Sequence, residues 1–210
     1  MTEEEARDRL LADVSRETAG RFDAYAAALI KWQKAINLVA PASLNHLWYR
    51  HFLDSAQVFP LRIKDQGLWL DIGSGGGFPG LICAILATEK SPDLRFTFIE
   101  SDLRKCSFLR EVARQTGLKI SVLSRRIEDA PPQGANVISA RALAPLTKLC
   151  TLAQPHLAPD GVCLFQKGES HQAELDAARA EWQMGMVQFD SQTADGAVIY
   201  RIGDLAPCLM

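Results

Sequence analysis

The sequence predicts an α/β fold with a doubly wound, mostly parallel sheet behind an N-terminal helical segment. Three observations carry this. From about residue 68 onward, short apolar runs suited to strands alternate with stretches of helical periodicity. The run Trp69-Leu70-Asp71-Ile72 feeds directly into a glycine-rich turn ending at Gly80. The first sixty-odd residues show helical spacing and no strand alternation.

The elements follow in order. Thr2 and Glu5 have capping-box spacing for a first helix reaching about Thr18. Phe22, Tyr25, Ala26, Leu29, Ile30 and Ile36 recur as one helical stripe. Pro41 interrupts the chain, and Ser43 is placed to cap a third helix through His51, Leu53 and Val58, ended by Pro60. Residues 1–62 thus form a helical segment expected to pack on a sheet domain, 63–210, the whole being one structural unit. The first strand is Leu68–Asp71, and Pro79 opens the helix Leu81–Ala87 from its first position. Arg95–Ile99 is the second strand, closed by Glu100. A helix over Leu103–Gln115 stops at Gly117, and Lys119–Leu123 is the third strand. After the Pro131-Pro132 loop come a short strand at Val137–Ser139, a helix at Leu146–Ala153 and a fifth strand at Gly161–Gln166. Ser170–Trp182 reads as helix, and Gly196–Ile202 as a last strand pairing with Met186–Phe189.

A chain of 210 residues with 48% hydrophobic and 23% charged residues has an ordinary globular composition. It has no apolar run of membrane-spanning length, and its start lacks a signal-peptide pattern, so a cytoplasmic protein is expected. The five cysteines are odd in number, widely spaced and without a C-x-x-C, which suggests neither disulfides nor zinc. His46, His156 and His171 lack metal-ligand spacing, and no metal is expected. Trp32, Trp48, Trp69 and Trp182 sit in apolar patterns and read as core. The net charge of −2 gives no global signal for nucleic acid. Local cations cluster at Arg104, Lys105, Arg110, Arg114, Lys119, Arg125 and Arg126, and at Lys31, Lys34 and Arg50; each cluster is either a solvated helix face or a contact for phosphate.

Gly75, Gly77 and Gly80 fit G-x-G-x-x-G, and Glu100 follows Gly80 by twenty residues. A strand, a glycine turn and an acid at the next strand's end suit a ligand built on adenosine, the acid holding ribose hydroxyls. Asp71 before the glycines discriminates further. A dinucleotide brings a negative pyrophosphate to such a turn. S-adenosylmethionine brings a cationic sulfonium and an amino group, which an acid favours. The expected cofactor is therefore S-adenosylmethionine, leaving S-adenosylhomocysteine; NAD is the disfavoured rival.

Five strings in order then carry a resemblance: Trp32–Leu38, Arg50–Ser55, Asp71–Gly80, Ile138–Ala142 and Gln166–Gly168. Together they resemble the bacterial small-subunit ribosomal RNA methyltransferase G family (RsmG, or glucose-inhibited division protein B), over roughly residues 20 to 170. The resemblance implies a Rossmann-like class I methyltransferase fold. It implies methyl transfer to N7 of one guanine in the decoding region of 16S ribosomal RNA. By motif position it implies that Gly73 and Phe78 contact the cofactor, that Ile127 and Glu128 hold adenine, and that Arg141 lies near the methyl donor. The chain departs at Gln33, where the family usually has Asn, and at Gly76, where many members have Ala or Pro.

The cofactor-binding candidates are thus Asp71, Gly73, Gly75, Gly77, Phe78, Glu100, Ile127, Glu128 and Arg141. Guanine N7 carries a free lone pair, so no catalytic base is needed, and Arg141 is expected to position rather than to transfer protons. Replacing Arg141 by Ala should lower turnover far more than stability. Lys34, Arg50 and Lys167 are the RNA-binding candidates, Lys167 being equally able to cap the sheet edge. His51 and Asp54, three apart on one helix face, read first as a polar pair tying the helical segment to the sheet, and second as part of an active-site floor. The expected partner is the small ribosomal subunit or an assembly intermediate, and a monomer suffices. Alternatives are a methyltransferase for protein or small molecules, and a cofactor-binding module without turnover.

Overall fold

The computed structural model describes residues 1–208. Two helices open the chain, α1 (Glu3–Leu11) and α2 (Arg16–Gln33). The Thr2–Glu5 capping box forms, but α1 ends well short of Thr18. Ser15 Oγ accepts from the Thr18 N–H and starts a separate helix. The predicted regular helix from Ser43 is replaced by a 3₁₀ stretch over Pro41–His46, a widened π-type turn over Trp48–Leu53, and the single turn α3 (Asp54–Ala56). The reason is tertiary. The Ser43 hydroxyl is engaged elsewhere, and the Glu3 carboxylate of α1 accepts from the N–H groups of Trp48 and Tyr49 at 2.8 and 3.1 Å.

The sheet elements are β1 (Gln66–Ile72), α4 (Gly80–Lys90), β2 (Asp93–Glu100), α5 (Leu103–Thr116), β3 (Ile120–Ser124), β4 (Ala135–Arg141), α6 (Leu146–Ala153), β5 (Leu157–Lys167), α7 (His171–Arg179), β6 (Trp182–Asp190) and β7 (Val198–Pro207). Pro79 stands at the N-cap of α4, one position earlier than predicted. Asp102 caps α5 through the Arg104 and Lys105 N–H groups, and Gly117 ends it with φ 68°. Among the described residues, seven strands lie in the order β3-β2-β1-β4-β5-β7-β6. All neighbours up to β5 are parallel, and β7 is antiparallel to both β5 and β6. The final hairpin is much longer than predicted, because β6 covers all of Trp182–Asp190.

Alternation along β1 splits the core. Leu70 and Ile72 join the layer beneath α6 and α7 with Ile138, Phe165 and Tyr200. Trp69 joins the other layer, where Phe22, Tyr25, Phe52 and Phe108 bring the N-terminal helices onto the sheet. Trp69 is fully buried; Trp32, Trp48 and Trp182 are half-buried on the edges of this packing. Four cysteines are buried and Cys208 is half-buried, all as free thiols. The chain leaves β1 toward β2 on one side and places β4 on the other, so a crevice opens at the carboxyl ends of β1 and β4.

Candidate active site

At this crevice the backbone turns out of β1 with positive φ at Gly73 (63°) and Gly75 (54°), a region an L side chain rarely adopts. Together with the carboxyl ends of β2 and β4, the turn encloses a cavity of about 500 Å³. Gly73, Gly75, Phe78, Glu100, Ile127, Glu128 and Arg141 all line it. Glu100 is 8% exposed. Its Oε2 accepts from the Gly75 N–H and its Oε1 from the Asp102 N–H, both at 2.8 Å. Each oxygen keeps a lone pair, so the carboxylate both braces the turn and can accept from a ligand hydroxyl.

Two expected cofactor contacts do not line this cavity. Gly77 is turned toward Leu81 and the Tyr25 hydroxyl. Asp71 is fully buried behind the turn, on the Trp69 face of β1. A Cβ on Gly80 would lie 2.7 Å from the Asp71 Cβ, so the missing side chain there makes room for the acid at the start of α4. Asp71 Oδ2 accepts from Ser139 Oγ at 2.6 Å, and Ser139 Oγ in turn accepts from the Trp69 indole N–H. Burial pushes the Asp71 carboxyl up to about 6, against the opposing pull of Ser139, Ser74, the Gly80 N–H and Arg141. The acid therefore acts on the cavity only through the intervening backbone.

Arg141, at the end of β4, is gripped from the helical segment. Its Nη1 donates to the Arg50 carbonyl and to Asp54 Oδ2, both at 3.2 Å, and its Nη2 to His51 Nδ1 at 2.8 Å. The guanidinium lies 4.8 Å from the centre of the Phe78 ring. Burial first, then the Arg141 and Arg50 charges, lowers the His51 pKa to about 3. The ring is neutral, and because Arg141 can only donate, His51 carries its proton on Nε2. That N–H donates to Ser43 Oγ at 2.7 Å, and Ser43 Oγ donates to the Ala40 carbonyl. His51 and Asp54 thus tie the helical segment to the sheet, and they do so through the candidate catalytic arginine rather than with each other.

Of the RNA-binding candidates, Lys34 and Arg50 are exposed. Lys167 is not available: its side chain is 9% exposed, its Nζ pairs with Glu174 at 2.6 Å and donates to the Ala144 carbonyl. Sequence reasoning missed Leu38, which reaches the cavity because the Gln33 amide closes the following turn on the backbone of Leu38 and Val39. The departure from Asn at position 33 thus has a structural use. It also missed Thr193, in the loop between β6 and β7, whose hydroxyl donates to Asp54 Oδ1 at 2.6 Å; no local motif marks that loop.

The strand order, the glycine turn at the switch point and the acid ending β2 define a class I methyltransferase fold. Solved structures agree on that fold. A ribosomal protein L11 methylase from Lactobacillus delbrueckii subsp. bulgaricus matches at TM-score 0.58 and 16% identity, over 72% of this chain and 76% of that one. A SAM-dependent methyltransferase from Aquifex aeolicus matches at TM-score 0.56 and 16% identity, over 84% and 97%. The family model described as rRNA small subunit methyltransferase G matches residues 19–197. Relatives named ribosomal RNA small subunit methyltransferase G, from Cereibacter sphaeroides (strain ATCC 17025) and Jannaschia sp. (strain CCS1), are each 49% identical. They cover 98% and 96% of this chain, and 99% and 95% of their own lengths. The chain belongs to the rRNA small subunit methyltransferase G family and is an rRNA methyltransferase. Among the described residues no helix is long and apolar enough to cross a membrane.

Proposed function

We propose that this enzyme transfers a methyl group from S-adenosylmethionine to N7 of one guanine in the decoding region of 16S ribosomal RNA. The observation that carries this is the convergence of Gly73, Gly75, Phe78, Glu100, Ile127, Glu128 and Arg141 on one cavity. Its volume of about 500 Å³ suits a ligand of nucleoside size. Its lining suits this one: a glycine turn for close backbone approach, a carboxylate for ribose hydroxyls, and the apolar Ile127 with Glu128 for adenine. A structural neighbour, TYW2 of M. jannaschii, was solved in complex with AdoMet, at TM-score 0.54. When bound, S-adenosylmethionine supplies an electrophilic methyl: the N7 lone pair forms the new C–N bond as the C–S bond breaks toward sulfur.

The chain's own residues orient and balance charge. Asp71 sets a negative potential behind the turn, on the side where the cofactor's cationic end would lie. Arg141, held over the Phe78 ring, offers a guanidinium plane against which an unstacked base can rest. Asp54 neutralises that guanidinium, so the charge developing on the purine does not meet an uncompensated cation. Exposed Lys34, Arg50, Arg125 and Arg126 are the candidate phosphate contacts. We place the enzyme in the cytoplasm as a monomer, with residues 1–62 packed on the 63–210 domain as one unit.

The test uses methyl-labelled S-adenosylmethionine and small ribosomal subunits from a strain lacking the gene. Cleavage at N7-methylguanine then maps the product. One labelled guanine in the decoding region is expected. Transfer to protein or to a small molecule, or cofactor binding with no transfer to subunits or their assembly intermediates, would refute the reading.

A further inference from the structure

The two oxygens of Asp54 serve different partners. Oδ2 accepts from Arg141 Nη1 at 3.2 Å and from Gln166 Nε2 at 2.7 Å. Oδ1 accepts from Gln57 Nε2 at 2.9 Å and from Thr193 Oγ1 at 2.6 Å. The Gln57 amide is oriented by its other end, where Oε1 accepts from the Gln192 N–H at 2.9 Å. Thr193 has one hydroxyl proton, and a carboxylate can only accept, so that proton goes to Asp54. Ser191 Oγ, 3.1 Å from Thr193 Oγ1, then donates to it. The loop that carries Thr193 is closed on itself: the Ser191 N–H donates to the Ala197 carbonyl at 2.9 Å, and the Thr193 N–H to Ser191 Oγ at 3.2 Å. Thr193 is 8% exposed, so its bond to the carboxylate is shielded from water. The loop lies beyond residue 190, outside the five strings that carry the family resemblance.

We propose that Thr193 is a positioning residue for methyl transfer: its hydroxyl sets the angle of the Asp54 carboxylate and, through it, the plane of Arg141. The inference rests on the methyl transfer proposed above and on Arg141 acting there. Arg141 lines the cofactor cavity and Thr193 does not, so Thr193 acts only through another residue. A carboxylate is rigid and planar. A donor that fixes Oδ1 therefore fixes Oδ2 as well. Arg141 Nη1 is shared between Asp54 Oδ2 and the Arg50 carbonyl, both at 3.2 Å. That is long beside the roughly 2.7–2.9 Å usual for a charge-assisted bond. The tilt of the guanidinium over Phe78 thus depends on where Oδ2 stands. Thr193 makes the shorter of the two bonds to Oδ1, and losing it frees rotation of the carboxylate. A group misplaced by about 1 Å can cost about 100-fold in turnover, so a partial release is expected to cost about tenfold.

Methyl-transfer kinetics on small subunits test this in the intact enzyme, with cofactor affinity by calorimetry and melting temperature measured alongside. Thr193→Val keeps the shape and removes the hydroxyl; Thr193→Ser keeps the hydroxyl. Thr193→Val is expected to lower kcat about tenfold, with cofactor affinity and KM for subunits within a few-fold of wild type. Thr193→Ser is expected to stay within about twofold of wild type in kcat. In an Arg141→Lys background no guanidinium plane is left to orient, and adding Thr193→Val should cost less than about twofold more. Should Thr193→Val fail to fold, Gln57→Met, which removes the other donor to Oδ1, takes its place with the same expectation. Wild-type kcat in Thr193→Val overturns the proposal. So does an equal loss in both backgrounds, which would mark a role independent of Arg141. Absence of transfer by the wild-type enzyme would instead strike the methyl-transfer reading beneath it.

Discussion

Asp71 is the residue whose perturbation says most. Its carboxyl is raised from 3.8 to about 6 by burial, so the folded enzyme binds the proton more tightly than the unfolded chain does. Stability from this group is complete below pH 3.8 and is lost as pH rises through 6. A shift of about 2.2 units corresponds to about 3 kcal/mol in all, of which about 1.4 kcal/mol falls between pH 5 and pH 8. Asp71→Asn has nearly the same shape and does not titrate. Its amide could leave one N–H unpaired, which offsets part of the gain at every pH alike. The informative quantity is therefore the difference between variant and wild type, not either alone. Urea unfolding of both proteins without cofactor, at pH 5, 6, 7 and 8, should show the variant gaining about 1.4 kcal/mol on wild type across the series. The His51 titration is common to both and cancels. A difference that stays flat with pH would refute the reasoning, because it would mean that the carboxylate is not desolvated in the fold. The same variant should bind S-adenosylmethionine more weakly at pH 7.5, as expected where a destabilising charge serves a ligand.

The remaining expectations concern the ring of contacts around Arg141 and the surface. Because His51 is held neutral with a folded pKa of about 3, wild type should lose stability as pH falls below 6.5, and His51→Leu should lose that part of the slope in the same unfolding series. The geometry revises the expected effect of Arg141→Ala. Removing the guanidinium leaves a largely buried Asp54 and His51 Nδ1 short of a donor, so stability should drop by about 1–3 kcal/mol along with turnover. Arg141→Lys is the cleaner probe: a fall in kcat of at least about tenfold with nearly unchanged cofactor affinity is expected, and equal losses in melting temperature and turnover would count against a positioning role. Lys34→Ala should lower the salt dependence of subunit binding by about one phosphate contact, whereas Lys167→Met should lower the melting temperature and leave that slope alone.

Much of this protein was legible in its residues, and the reason is that the signals are local. The β1 turn announces itself because positive-φ positions need glycine, and Gly73, Gly75 and Gly77 stand where the backbone takes them. Gly117 and Thr2–Glu5 are read correctly for the same reason: a cap acts within a few residues. The acid ending β2 could be found by spacing, since βαβ units have a narrow range of lengths. The family resemblance implied that Arg141 lies near the methyl donor, and the structure puts Arg141 in the lining of the cavity at the β1 turn.

Only the tertiary structure decided the rest. It put Asp71 behind the turn instead of in the cavity, because Gly80 leaves room for a carboxylate on that face. It withdrew Lys167 from solvent by giving it Glu174, and it broke the predicted third helix by supplying Glu3 from α1. Above all it gathered Asp54, Gln57, Arg141, Gln166 and Thr193 into one hydrogen-bonded cluster from positions up to 139 residues apart. No local pattern encodes such a cluster. A buried carboxylate accepts donors from whichever elements the sheet order brings to it, and that order is set by core packing over the whole chain.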